Sequence, residues 1–310
     1  MLGMIAGNGH PYSWSAIVNG YDPEAMAKCP YAGIPHYLGA QPFASVSVPG
    51  AQVTQIWTDN PAEAPLVAAA SLIPHVATRP QDVIGTVDAV LIAVDDGFDH
   101  VRRARPFVEA GLPVFVDKPL ATSIEDLQTF IDWKKAGARI LSSSGLRYSP
   151  ELDPVLADPA SFGEIRWISG VTTKAWDNYG IHMVEPAFRI LGPGFVSVRL
   201  DGRPGLEVAH LVHRSGAQVT IPTIYDGGPG FGLVQICGTA KSVAFRLADT
   251  YTAFRRQIVG FIDYVRGAAP DPYPFAETVE MMAVLIAGLR SRAEGCRRVD
   301  ISEIQSSLNL

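Results

Sequence analysis

A chain of 310 residues with net charge −6, 47% hydrophobic and 18% charged, has the balance of a folded globular protein with room for two ordinary domains. No run of Lys and Arg is long enough to make a phosphate-binding stripe, which argues against a nucleic-acid partner, and the longest uncharged apolar stretch, about Met281 to Leu289, falls far short of the roughly 18–20 residues of a membrane span. Cys29, Cys237 and Cys296 are scattered and odd in number, and the seven histidines form no paired ligand motif, so free thiols in a cytoplasmic protein without a metal site are expected.

The first residues, Met1 to Ala6, lack a basic region and run into a glycine turn, which reads as a strand rather than a signal peptide. From there short apolar runs alternate with amphipathic stretches. Strands are expected over 2–6, 52–58, 88–94, 113–117 and 139–143, with helices near 13–18, 62–71, 98–110 and 123–136. The last helix opens on Ser123-Ile124-Glu125-Asp126, an N-cap with acids in the first turn. Continuous apolar strands such as Ala89 to Val94 suit a sheet buried on both faces. This half predicts a doubly wound parallel sheet of the Rossmann type, over residues 1–145.

After Gly145 the pattern changes. Strand-like segments follow one another over 164–173, 196–200, 206–212, 217–225, 231–238 and 241–247, with one helix near 181–191 and terminal helices over 255–266 and 277–293. Residues 146–310 are expected to form an α+β domain with an open, mostly antiparallel sheet.

Three places carry chemistry-bearing residues. Gly7-Asn8-Gly9 follows the first strand, where glycines let backbone amides approach a pyrophosphate at a helix N-terminus, although Tyr12 stands at the third glycine position of the usual fingerprint. Two glycines in a turn are also often just a turn. Asp59 ends the second strand, where an acid can bind adenosine ribose hydroxyls and repel a 2′-phosphate; an N-cap for the next helix would look the same. It lies 52 residues after Gly7, against about 20 in the simple fingerprint, and the excess is the Pro-, Tyr- and Gly-rich stretch 21–50, expected to be a surface excursion. No arginine or lysine neighbours Asp59 in sequence, so NAD is expected over NADP.

The third place is Val114 to Ala121, where an apolar run stops at Asp117-Lys118-Pro119. Proline ends the ladder, leaving Lys118 at the carboxyl edge of the sheet, where ligands bind in open parallel sheets. A solvated lysine after a turn is the plain alternative. His100, one turn into a helix, reads as a capped or partly exposed histidine. His182 differs, because Asn178 four residues before and Glu185 three after would share its helix face, which makes it a candidate general acid/base.

Together these residues resemble the Gfo/Idh/MocA family of nicotinamide-dependent oxidoreductases, from the first strand to the last helix. The resemblance rests on His100 followed by Glu109-Ala110-Gly111 and then Val116-Asp117-Lys118-Pro119-Leu120-Ala121, where the family motif is usually Glu-Lys-Pro. It also rests on Arg147 with Pro150, Gly163-Glu164-Ile165, Gly238-Thr239 and Gly180-Ile181-His182. The resemblance implies a cis peptide before Pro119, hydride transfer at a sugar or polyol carbon, and proton handling by Lys118 and His182. It places Gly7, Gly9, Asp59, Asp117, Lys118 and Pro119 at the cofactor, and implies a homodimer or homotetramer. Tyr12, the stretch 21–50 and Asn178, which stands where many members carry a catalytic aspartate, are departures. With Asn178 in that place, Asp177 and Glu185 are the nearest carboxylates to His182. The leading expectation is an NAD(P)-dependent dehydrogenase of a sugar, sugar nucleotide or polyol. The alternatives are a non-catalytic cofactor- or sugar-binding regulatory protein on the same fold, or a lyase or hydrolase using bound NAD transiently.

Overall fold

The structure, a computed structural model, describes residues 1–268 and 271–310. The chain forms two compact units, one from Met1–Asp117, Trp133–Ser142 and Phe254–Tyr273, the other from Lys118–Asp132, Ser143–Ala253 and Pro274–Leu310.

The first unit is built on a parallel sheet. Val90–Ile92 pairs with Val114–Val116, which pairs with Ile140–Leu141, and on the other side Gln55–Ile56 pairs with His75–Val76. Leu2 joins the two halves through parallel bridges to Trp57 and Ile92. Succession therefore runs outward in both directions from the first segment, the switch point at which open α/β sheets bind ligands. The expected first strand shrinks to this bridge because Gly3 adopts φ +87°, a left-handed conformation that a regular ladder cannot hold. The strand His75–Val76 is exposed at both residues, so it leaves no hydrophobic period in the sequence.

The first helix, His10–Asn19, starts earlier than the apolar pattern alone suggests, with Pro11 in its first turn. The excursion 21–50 is not a loose surface loop. It contains the helices Pro23–Met26 and Gly33–Gly39, and it buries Met26, Ile34, Leu38, Val46 and Val48. The Tyr37 hydroxyl hydrogen-bonds Ser13, fastening this layer to the first helix. From Phe254 onward the helix Thr250–Val265 also joins this unit, with Phe254 6.2 Å from Trp14 and Phe261 5.5 Å from Phe115, both edge-on.

The second unit carries a sheet of order Ser242–Arg246, Leu233–Gly238, Ile165–Gly170, Gln218–Ile224, Leu206–His213, Phe195–Arg203 and Val299–Asp300. Its neighbours are antiparallel except Gln218–Ile224, which runs parallel to Ile165–Gly170 and to Thr172–Thr173. Burial alternates along Gln218–Ile224 with Val219, Ile221 and Thr223 inward, the period of a sheet with one covered face. Behind it, Trp176 donates its indole N–H to the Leu285 carbonyl of Phe275–Ala293 at 3.0 Å. Gly288 permits that contact, because a Cβ there would lie 2.3 Å from the indole nitrogen.

Candidate active site

The fully buried strand Val114–Val116 delivers Asp117 and Lys118, and the Lys118–Pro119 peptide is cis, as the family resemblance implies. Lys118 is only 2% exposed. Its ammonium donates to the Asn178 backbone carbonyl at 3.3 Å and stands 4.3 Å from the centre of the Tyr179 ring. His182, the second residue of Ile181–Leu191 and 8% exposed, meets the same ring edge-on at 4.7 Å, with Phe231 edge-on at 5.4 Å. Tyr179 thus forms a common wall for Lys118 and His182. A second lysine, Lys174, lies 4.2 Å over the same ring.

Asn178, His182 and Glu185, expected to share one helix face, are held by separate contacts. The helix is interrupted: Trp176–Tyr179 ends at Gly180, and Ile181–Leu191 begins after it. Asn178 presents its backbone carbonyl to Lys118, while its side-chain oxygen is buried without a hydrogen-bond partner. The His182 Nδ1 instead lies 2.7 Å from the Ser144 hydroxyl. Glu185 accepts from the Ser144 backbone N–H at 2.9 Å and pairs with Arg147 at 3.2 Å, and Arg147 also bonds Glu277. Burial pushes the Glu185 carboxyl above the ordinary range against the opposing pull of Arg147. Asp177 pairs with Arg292 at 2.9 Å. The two nearby carboxylates are therefore engaged elsewhere.

In the first unit, Asp117 is fully buried and works as an anchor for the glycine loop. Its Oδ2 accepts from the Asn8 amide at 3.0 Å and lies 2.5 Å from His10 Nδ1, while Asn8 Oδ1 accepts the His10 backbone N–H at 2.9 Å. The His10 ring stacks on Trp14 at 4.3 Å. The local sequence signal for His10 is its place directly after Gly-Asn-Gly at the helix start. Tyr12 is buried within the helix, which pushes its hydroxyl up to about 12. His100 is buried and bonded to the Val94 carbonyl at 2.6 Å, a structural role.

Asp59 requires a correction. Its carboxylate accepts the Met4 backbone N–H at 3.0 Å and meets Arg103 at 2.7 and 3.2 Å. Arg103 reaches it from the helix His100–Glu109, 44 residues on, and pairs with Asp99 at 2.6 Å as well. The premise that Asp59 has no cation beside it does not hold in the folded chain.

A dinucleotide would suit much of this unit: the sheet reverses at Leu2, and Gly7, at φ +82° and exposed, heads a ten-residue helix. Gly9 lacks the side chain whose place a pyrophosphate would take. In this conformation that place is held by the chain itself. A Cβ on Gly9 would lie 2.8 Å from the Tyr31 ring and 2.7 Å from Ile34. A dinucleotide approaching at Gly9 would have to displace Tyr31. Among the described residues no cluster of three or more His, Cys, Asp or Glu is placed to hold a metal, and no helix is long and apolar enough to cross a membrane.

Residues 35–143 match the Gfo/Idh/MocA model, described as an oxidoreductase family with an NAD-binding Rossmann fold. That stretch, which carries Asp117-Lys118-Pro119, is similar to this family. An uncharacterised oxidoreductase of Rhizobium meliloti is 36% identical over 91 residues, 28% of this chain and 27% of that protein, so the match spans about a quarter of the relative. Among solved structures, the fold is similar to that of myo-inositol dehydrogenase from Lactobacillus casei in complex with NAD(H) and myo-inositol, with TM-score 0.74, 14% identity and 96% of each chain covered. A myo-inositol dehydrogenase from Corynebacterium glutamicum gives TM-score 0.73 at 15% identity, covering 96% of this chain and 97% of that one. At such identities the likeness concerns the fold.

Proposed function

We propose that the protein is an NAD-dependent dehydrogenase acting on a hydroxyl-bearing carbon of a cyclic polyol or sugar. The observation that carries this reading is the meeting of Lys118 and His182 on one Tyr179 wall, 4.3 and 4.7 Å from its ring centre. NAD, when bound at the glycine loop, would supply the hydride acceptor. The protein's part is the proton. Lys118, as the free amine, takes the proton of the substrate hydroxyl as the carbon becomes a carbonyl, and as the ammonium returns it in the reverse direction. His182 steadies the same oxygen by a hydrogen bond. The buried, unpartnered oxygen of Asn178 is an acceptor suited to a neighbouring substrate hydroxyl, since buried polar atoms are normally satisfied. A ring bearing several adjacent hydroxyls would offer partners to these donors and acceptors.

Tyr31 on the glycine loop favours a second reading, in which the chain binds a sugar-like ligand and performs no redox step. Incubating the protein with NAD and a panel of inositols and aldoses, while following nicotinamide absorbance, separates the two. Turnover of any of them supports the dehydrogenase. Saturable polyol binding by calorimetry with no NAD binding would support the second reading instead.

A further inference from the structure

We propose that Ser144 is a positioning residue that fixes the tautomer of His182, with the ring hydrogen on Nε2 and Nδ1 left as a bare acceptor. Its catalytic consequence rests on the dehydrogenase reading; the tautomer itself does not. Ser144 is fully buried and caps the short turn Gly145–Tyr148, its Oγ accepting the Leu146 backbone N–H at 3.1 Å. Its own backbone N–H is held by Glu185 at 2.9 Å, and Glu185 is in turn held by Arg147, so the hydroxyl is anchored from both sides. From that point Oγ lies 2.7 Å from His182 Nδ1.

Two hydrogen placements satisfy this distance. In one, the hydroxyl accepts from Leu146 and donates to Nδ1. The Leu146 amide, the serine hydroxyl and Nδ1 are then all engaged, and the imidazole keeps its hydrogen on Nε2. In the other, Nδ1–H donates to Oγ, which already accepts from Leu146, and the serine hydrogen must find another acceptor in a fully buried site. The first placement satisfies all the groups named, so it prevails.

The consequence concerns the departure at Asn178. A carboxylate on Nδ1 would hold a hydrogen there and stabilise an imidazolium, leaving Nε2 to act as a base. A serine hydroxyl does the opposite: it presents Nε2–H as a donor and offers no charge to a cationic ring. His182 is thereby cast as the hydrogen-bond donor to the substrate oxygen, and proton transfer falls to Lys118.

The test is ¹⁵N correlation NMR of the histidine side chains in the full-length protein at a pH where His182 is neutral, assigned with His182→Gln. A bare, imine-type Nδ1 with a pyrrole-type Nε2 is expected; a pyrrole-type Nδ1 would overturn the proposal. Ser144→Ala is expected to give a tautomer mixture and Ser144→Thr to restore the wild-type pattern. An unchanged tautomer in a folded Ser144→Ala would equally count against it. On a turned-over polyol, Ser144→Ala should lower kcat on the order of tenfold, below the 10²–10⁴ of losing an acid/base group, with KM less affected and with rescue by Ser144→Thr. Absence of turnover on every polyol would remove the dehydrogenase reading, while the NMR spectra would still decide the tautomer.

Discussion

The Tyr31 ring lies where a side chain on Gly9 would be, 2.8 Å from the position of its Cβ. Glycine is used at such loops so that a phosphate can approach the backbone. Here the approach is filled by an aromatic residue from the excursion 21–50. A ligand that displaces Tyr31 must overcome its contacts before it gains its own, which lowers apparent affinity.

Tyr31→Ala is therefore expected to tighten NAD binding, on the order of tenfold for a displaced contact of ~1.4 kcal/mol. Calorimetry on wild type and variant measures it directly. Equal affinities would show that the ring does not compete with the pyrophosphate.

Lys118→Ala is expected to leave the fold and NAD binding largely intact while removing most turnover, on the order of 10²–10⁴ in kcat. The lysine follows a strand whose apolar residues form the core without it, so circular dichroism and cofactor binding should be close to wild type. Normal turnover on a confirmed substrate would reduce Lys118 to a turn residue.

Asp59 and Arg103 form a pair at the tip of the second strand, 2.7 Å apart. If Asp59 lies at the ribose end of NAD as proposed, its pairing with Arg103 should disfavour a 2′-phosphate. Asp59→Asn releases Arg103 to a phosphate, so the ratio of NADP to NAD affinity should rise, and Arg103→Ala added to it should bring the ratio back. Dissociation constants at one ionic strength test both steps. A ratio unmoved by Asp59→Asn would place the ribose end elsewhere.

Gly288→Ala should destabilise the second unit. The added Cβ would meet the Trp176 indole nitrogen at 2.3 Å, inside a packed core, and would disturb the hydrogen bond from that nitrogen to Leu285. Overpacking of this kind costs about 1–3 kcal/mol. Urea denaturation should show a lower midpoint with a similar slope, and an unshifted midpoint would mean the helix moves aside freely.

Local chemistry made much of the architecture legible. The apolar run ending at Asp117-Lys118-Pro119 places a buried strand and its end, because proline cannot continue the ladder. The helix Ile181–Leu191 falls where its 3.6-residue period and the glycine after it put it. Period-two alternation along 217–225 likewise predicts the strand Gln218–Ile224 with one buried face. Such signals are carried by neighbours within a turn or a pleat, so the chain alone determines them. The contacts that shape the sites span far larger separations: His10 with Asp117 across 107 residues, Arg103 with Asp59 across 44, Ser144 with His182 across 38. A hydrogen bond between side chains that distant leaves no periodicity in the sequence. Which nitrogen, carboxylate or hydroxyl meets which is decided only when packing brings the elements together.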